Sequence, residues 1–308
     1  MPINPLLKPF AKDPVLSIND PEHAIKNLRR EKDLLTPFYT QHITFKDIKI
    51  ELNNKIISAR VYTPKHLLTE ETEALVFFHG GGFVKGSIET HNTICYNLSN
   101  FCNFRIISIE YSLAPEHPYP YAIKEGLEVV KWIFKNTFEL KINPKRISIG
   151  GDSAGGNLAT VISLMNRDGL KLPLYKQVLI YPVVSYSSTI VSTSLPFEKH
   201  NNYGLSKDMM NFFWKCYVGN YKELDDYLIS PIQSKTLKDL PQALIITVEY
   251  DILRNEAESY AYRLREYKNR TELKCFKGLI HGSLNYLNVD VPEIKEVYKT
   301  ISEFLINA

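Results

Sequence analysis

No apolar run in the 308 residues approaches the ~20 consecutive residues that a membrane-crossing helix needs. The N-terminal stretch MPINPLLKPFAKDP also lacks an apolar core of signal-peptide length. The expectation is a cytoplasmic protein with no integral membrane contact. Cysteine is scarce: Cys95, Cys102, Cys216 and Cys275 lie far apart and form no C-x-x-C pair, so they are expected to be reduced structural thiols. A charge of one sign is missing as well. The 37 Lys and Arg face 34 Asp and Glu for a formal net charge of +3, with no dense basic block, which excludes nucleic acid and an anionic membrane as partners. There is no internal repeat and no low-complexity tract.

What is present is a globular balance of 44 % apolar and 23 % charged residues, long for one small domain but suited to a single large α/β core. The 19 Tyr and 15 Phe fit an aromatic-lined pocket or a well-packed core equally well. Residues 1–40 read as a helical, Lys-rich leader. Asp20 before Pro21 supplies an N-cap and a first-turn proline for a helix through PEHAIKNLRREKDLL. HITFKDIKIEL and KIISARVYTP alternate in polarity around Asn53 and Asn54, the pattern of a β-hairpin.

From residue 74 the pattern changes. Short runs rich in Val, Ile and Phe recur at 74–80, 104–111, 146–151, 177–182, 243–250 and 272–278, each followed by turn residues and a helical stretch. Continuous apolar strands alternating with helices predict a mostly parallel sheet covered on both faces. The polar and aromatic segment 185–227 breaks this rhythm and reads as an insertion between strands.

The stretch ISIGGDSAGGNLATVISL, residues 147–164, surrounds Ser153 with glycine and alanine. A dinucleotide fingerprint fails because Ser153 stands at the third position counted from Gly151. A P-loop fails too: between Gly81 and Ser87 the lysine, Lys85, precedes the last glycine instead of following it. Gly151-Asp152-Ser153-Ala154-Gly155 does satisfy G-x-S-x-G, between a β-branched strand and a helix-competent run. In a strand-turn-helix bend the serine Oγ is exposed, residues 151 and 155 must be tiny, and the following helix N-terminus favours negative charge at the serine.

A second motif, FFHGGGFVKGS, places His79, Gly80, Gly81 and Gly82 at a strand end. Serine attack on an acyl carbonyl creates an oxyanion, and glycine N–H groups can approach one without obstruction from a Cβ. A serine nucleophile needs a base, and the base needs an orienting acid. Of the eight histidines, His281 follows the last predicted strand in the glycine-bearing loop CFKGLIHGSLNY. Asp251 closes the strand ALIITVEY, 30 residues before His281. Glu256 is the runner-up acid but falls in the following helix, where a surface or cap role is expected. Asp152 is too near the bend to orient a distant histidine and reads as structural.

HGGGFVKGSIETH, EYSLAPEHPYPYAI, GDSAGGNLA, DLPQALIITVEYDILRNEAESYA and GLIHGS occur in this order across residues 74–285. In that series the sequence resembles the hormone-sensitive-lipase-like (family IV) carboxylesterases of the α/β-hydrolase superfamily. The GSIETHNT and IHGSLNY runs resemble the acetyl-esterase branch. The resemblance implies an α/β-hydrolase fold with a helical cap made of 1–45 and 185–227, and core segments 46–184 and 228–308. It implies Ser153 as nucleophile, His281 as general base and then acid, and Asp251 as orienter, with the N–H groups of Gly81, Gly82 and Ala154 as the oxyanion hole.

No metal or organic cofactor is implied. The implied partner is a small-molecule ester, and homodimer formation is left open. Phe83 and the cap residues Phe212 and Trp214 are expected to contact substrate, and the bulky cap aromatics (Phe213 and Tyr217 with them) to favour short- to medium-chain, acetyl-like acyl groups. Two departures stand out: Ser283 where many relatives carry Phe, and Asn255 where an acid is common. Glu116 and His117, although adjacent, belong to a proline-punctuated run that is structural in the family. An amidase or deacetylase with the same triad, or a non-catalytic ligand-binding homologue, are the alternative readings.

Overall fold

The computed structural model describes residues 2–11, 20–30, 42–52, 55–186, 203–222 and 226–307. Eight strands form one sheet: β1 (Ile43–Leu52), β2 (Lys55–Pro64), β3 (Thr72–Phe78), β4 (Arg105–Ile109), β5 (Ile142–Asp152), β6 (Lys176–Ile180), β7 (Gln242–Tyr250) and β8 (Thr271–Ile280). Their spatial order is β1-β2-β4-β3-β5-β6-β7-β8. The first two pair antiparallel from Ile43↔Pro64 to Leu52↔Lys55, as the alternating pattern predicts, although Asn53 and Asn54 themselves lie outside the described residues. β2 also runs antiparallel to β4, and every later pairing is parallel.

The helices are α1 (Pro21–Leu28), α2 (Asn92–Cys102), α3 (Tyr121–Lys135), α4 (Thr137–Leu140), α5 (Ala154–Asp168), α6 (Lys207–Val218), α7 (Arg254–Glu266), α8 (Ser283–Tyr286) and α9 (Pro292–Ile306). Asp20 caps α1 as expected, its carboxylate accepting the His23 N–H at 3.0 Å. The helix expected to run on through residue 35 ends at Leu28, and residues 31–41 lie outside the described ones.

Successive β3 side chains enter opposite halves of the core. Val76 and Phe78 join the cluster built with α3, α5, α6 and α7, whereas Leu75 and Phe77 join the one built with α2 and α9. That is the period-2 alternation of a strand applied to a sheet buried on both faces, so every position from Ala74 to Phe78 is apolar and buried. The segment 185–227 contributes α6. Its Met209, Met210, Phe212, Phe213, Trp214, Tyr217 and Val218 are all buried, a spread wider than one helical face. No helix among the described residues is long and apolar enough to cross a membrane.

Because β3 sits between β4 and β5, the chain reverses its direction of travel across the sheet at this point. Crevices in open α/β sheets form at the carboxyl ends of strands beside such a reversal. Four chemically loaded segments follow the carboxyl ends of β3, β5, β7 and β8: Gly80 to Gly82, Ser153, Asp251 and His281.

Candidate functional site

Ser153 occupies the single position between β5 and α5 and adopts φ 54°, ψ −118°. A non-glycine residue there is strained by roughly 1–3 kcal/mol, so the surroundings must enforce it. They do so through backbone bonds: Ser153 N–H donates to Ile180 O at 2.8 Å, and its carbonyl accepts from Val183 N–H at 3.2 Å. The flanking glycines leave room for nothing else. A Cβ on Gly151 would lie 2.4 Å from Phe78 O, and one on Gly155 only 1.9 Å from the same oxygen.

Around the serine the expected residues meet. Ser153 Oγ lies 2.9 Å from His281 Nε2, and His281 Nδ1 lies 2.8 Å from Asp251 Oδ2. The other Asp251 oxygen, Oδ1, accepts the Leu253 N–H at 2.9 Å, which fixes the carboxylate plane. Asp251 and His281 are both buried. Behind the imidazole stands Tyr181, its ring centroid 4.8 Å from that of His281.

After β3 the chain turns through Gly81 at φ 114°, Gly82 at φ 61° and Phe83 at φ 64°. A Cβ on Gly81 would strike Lys85 O at 2.2 Å, and one on Gly82 the Phe213 ring at 2.2 Å. The turn is closed by Val84 N–H and Lys85 N–H donating to Gly81 O, bonds that use neither the Gly81 nor the Gly82 N–H. Ala154 opens α5, where backbone N–H groups have no partner in the helix.

Asp152, read from sequence as structural, joins this turn to the bend at Ser153. Its Oδ1 accepts the Gly80 N–H at 2.8 Å and lies 3.4 Å from His91 Nε2. Burial alone would raise the carboxyl, but His91 and the Gly80 N–H outweigh it and hold Asp152 below the ordinary carboxylate value. His79 beside it is pushed down to about 3, first by burial and then by His91, so it stays neutral. Its ring is stacked on Tyr111 with centroids 4.3 Å apart, and the Tyr111 hydroxyl donates to His79 O at 2.8 Å.

One sequence expectation changes here, and one departure finds its place. Glu256, expected to sit at the surface or cap its helix, instead accepts Val184 N–H at 2.8 Å and Ser185 N–H at 3.2 Å, and so anchors the start of the insertion. Burial raises its carboxyl to about 8, against those two bonds and with help from the Asp251 charge. Ser283, noted in the sequence as a departure from the family pattern, closes the histidine loop on itself. Its hydroxyl donates to Ile280 O at 2.6 Å and accepts from Ile280 N–H at 3.0 Å.

A cavity of about 250 Å³ opens over Ser153, His281, Gly81 and Gly82, walled by Leu28 of the N-terminal segment and by Leu205, Met209, Met210 and Phe213 of the insertion. Phe83, Phe212 and Trp214, the expected substrate contacts, are not among its described lining residues. Phe83 stacks on Tyr217 with centroids 3.8 Å apart and lies 5.5 Å from Trp214. These rings hold α6 against the glycine turn, and Phe213 is the α6 aromatic on the cavity wall. Because α6 is buried almost all round, residue type alone could not distinguish its cavity-facing side chains from its packing ones.

A family model described as an alpha/beta hydrolase fold matches residues 75–285. An arylesterase of Saccharolobus solfataricus is 37 % identical over 240 residues, covering 78 % of this chain and 76 % of that protein. The carboxylesterase NlhH of Mycobacterium tuberculosis is 33 % identical over 246 residues, covering 78 % and 75 %. Among solved structures, an esterase of Pyrobaculum calidifontis superposes with a TM-score of 0.86 at 32 % identity over 99 % of this chain and 98 % of that one. A thermostable esterase from Pseudomonas putida gives 0.89 at 27 % identity over 99 % and 97 %. With a matching family model, relatives of this kind and the same fold, the chain belongs to the hormone-sensitive-lipase-like family of α/β-hydrolase esterases.

Proposed function

We propose that this esterase hydrolyses short- to medium-chain, acetyl-like esters through an acyl-enzyme formed on Ser153. One observation carries the reading: the unbroken run of contacts from Ser153 Oγ through both nitrogens of His281 to Asp251. In that geometry Nε2 can take the serine proton as Oγ attacks the ester carbonyl, while the buried carboxylate fixes the tautomer and favours the imidazolium. The tetrahedral oxyanion would face the N–H groups of Gly81, Gly82 and Ala154, each donor worth about 2.7–4 kcal/mol to the transition state. Collapse expels the alcohol, which receives its proton from His281. Water, deprotonated by the same histidine, then attacks the acyl-serine and releases the acid.

The size of the cavity supports the acyl preference. At about 250 Å³ it falls below the ~300–1,000 Å³ usual for sites that hold drug-sized ligands. Segments 1–45 and 185–227 act together as the cap in this reading, since Leu28 and the α6 side chains wall the same space. A cytoplasmic setting is in keeping with four cysteines that form no disulfide. The experiment is steady-state hydrolysis of p-nitrophenyl esters from C2 to C12. Acetate or butyrate should be fastest, and Ser153→Ala should abolish turnover. Fastest hydrolysis of octanoate or longer esters defeats the short-chain reading, and full activity in the alanine variant defeats the nucleophile.

A further inference from the structure

Arg29, just beyond α1, belongs to the lining of the catalytic cavity and also to that of an outer groove of about 520 Å³. That groove is walled by Glu22, Ile25 and Lys26 on the α1 side and by Pro115 and Glu116 on the other. The arginine is held from three directions. Its Nε donates to Val84 O at 2.8 Å, and one terminal nitrogen to Ala114 O at 2.9 Å. Both terminal nitrogens reach the two Glu116 oxygens at 2.7 Å. A bidentate pair reinforced by two carbonyls fixes the plane of the guanidinium, which a lone surface pair does not. The Glu116 carboxyl is correspondingly held below its ordinary value by Arg29, against a smaller opposing effect of burial. Glu116 thus has a definite task within the proline-rich run.

We propose that the Arg29 side chain, clamped by Glu116 and the Val84 and Ala114 carbonyls, is the partition between the catalytic cavity and the outer groove and sets the upper limit on substrate chain length. Removing the partition joins the two spaces, and the groove behind it becomes room for further methylenes. The apolar stems of Ile25 and Pro115 would receive them. This rests on the short-chain ester reading above. The same clamp also touches Val84, whose N–H donates to Gly81 O at 3.1 Å. A purely structural role for Arg29 would therefore loosen the glycine turn and lower kcat equally for every substrate, whereas a partition alters the dependence on length.

The test measures kcat/KM of the full chain on p-nitrophenyl esters from acetate to octanoate and on acetates of alcohols from methyl to octyl. Arg29→Ala should raise the ratio of long- to short-chain kcat/KM in at least one series by on the order of tenfold, the worth of about two newly buried methylenes. Arg29→Met, which refills the space without the clamp, should bring the ratio back toward wild type. Glu116→Ala leaves the lining arginine in place on the Val84 and Ala114 carbonyls but loosens it, so it should shift the ratio in the same direction by a smaller factor. It also serves if the alanine variant at position 29 does not fold. An unchanged length profile in Arg29→Ala and Glu116→Ala, beside a short-chain wild type, overturns the partition and leaves the short-chain reading standing. A wild type that already prefers octanoate overturns both.

Discussion

Replacing Glu256 with glutamine should alter how stability depends on pH far more than it alters stability in acid. The folded carboxyl is raised to about 8 from an ordinary value of 4.5, chiefly by burial. Below pH 4.5 the folded and unfolded chains both carry the proton, so burial of this carboxyl costs the folded chain no deprotonation penalty. Between 4.5 and 8 the unfolded chain ionises at this position while the folded one resists, so the wild type loses stability as pH rises. Above 8 the loss levels off. A displacement of that size corresponds to roughly 4–5 kcal/mol as an upper figure, at about 1.4 kcal/mol per pH unit. Glu256→Gln keeps an oxygen to accept the Val184 and Ser185 N–H groups but has no proton to lose. Thermal melts of both proteins from pH 5 to pH 9 should agree within about 1 kcal/mol at pH 5, diverge up to about pH 8 and then hold a constant separation. At pH 9 the variant should melt higher by about 5 °C or more. Melting curves whose separation stays constant over that range would refute a carboxyl kept protonated by burial.

Two further outcomes follow from the site geometry. Asp251→Asn preserves the bond from Leu253 N–H but no longer selects the Nδ1-protonated imidazole, so kcat on p-nitrophenyl acetate should fall by about 10³–10⁴-fold with KM little changed; a loss of less than tenfold would contradict the orienting role. Gly155→Ala places a methyl 1.9 Å from Phe78 O and 2.7 Å from His79 O, so it should cost at least ~1–3 kcal/mol in denaturant unfolding and lower activity by displacing the strand that carries the glycine turn. A variant at this position with wild-type stability and rate would mean that the tight bend is not required.

The sequence by itself determined the fold class and which residue types would carry the chemistry. G-x-S-x-G between a strand and a helix, three glycines at another strand end, and a lone histidine and aspartate after two later strands are local signals, because tight bends and strand ends are dictated over a few residues. The β1–β2 hairpin was legible for the same reason: its alternation is a property of ten consecutive residues. The tertiary structure decided whatever depends on how elements dock. α6 is buried almost all round, so no periodicity could say that Phe213, and not Phe212 or Trp214, reaches the cavity wall. Helical position made Glu256 look like a surface residue, and only the return of residues 184 and 185 over α7 gave its carboxyl two N–H groups to receive. Asp152 with Gly80 is a contact between residues 72 positions apart, and Arg29 with Glu116 spans 87. Such pairings are set by strand order and by how the N-terminal segment docks, over distances at which local spacing carries no information.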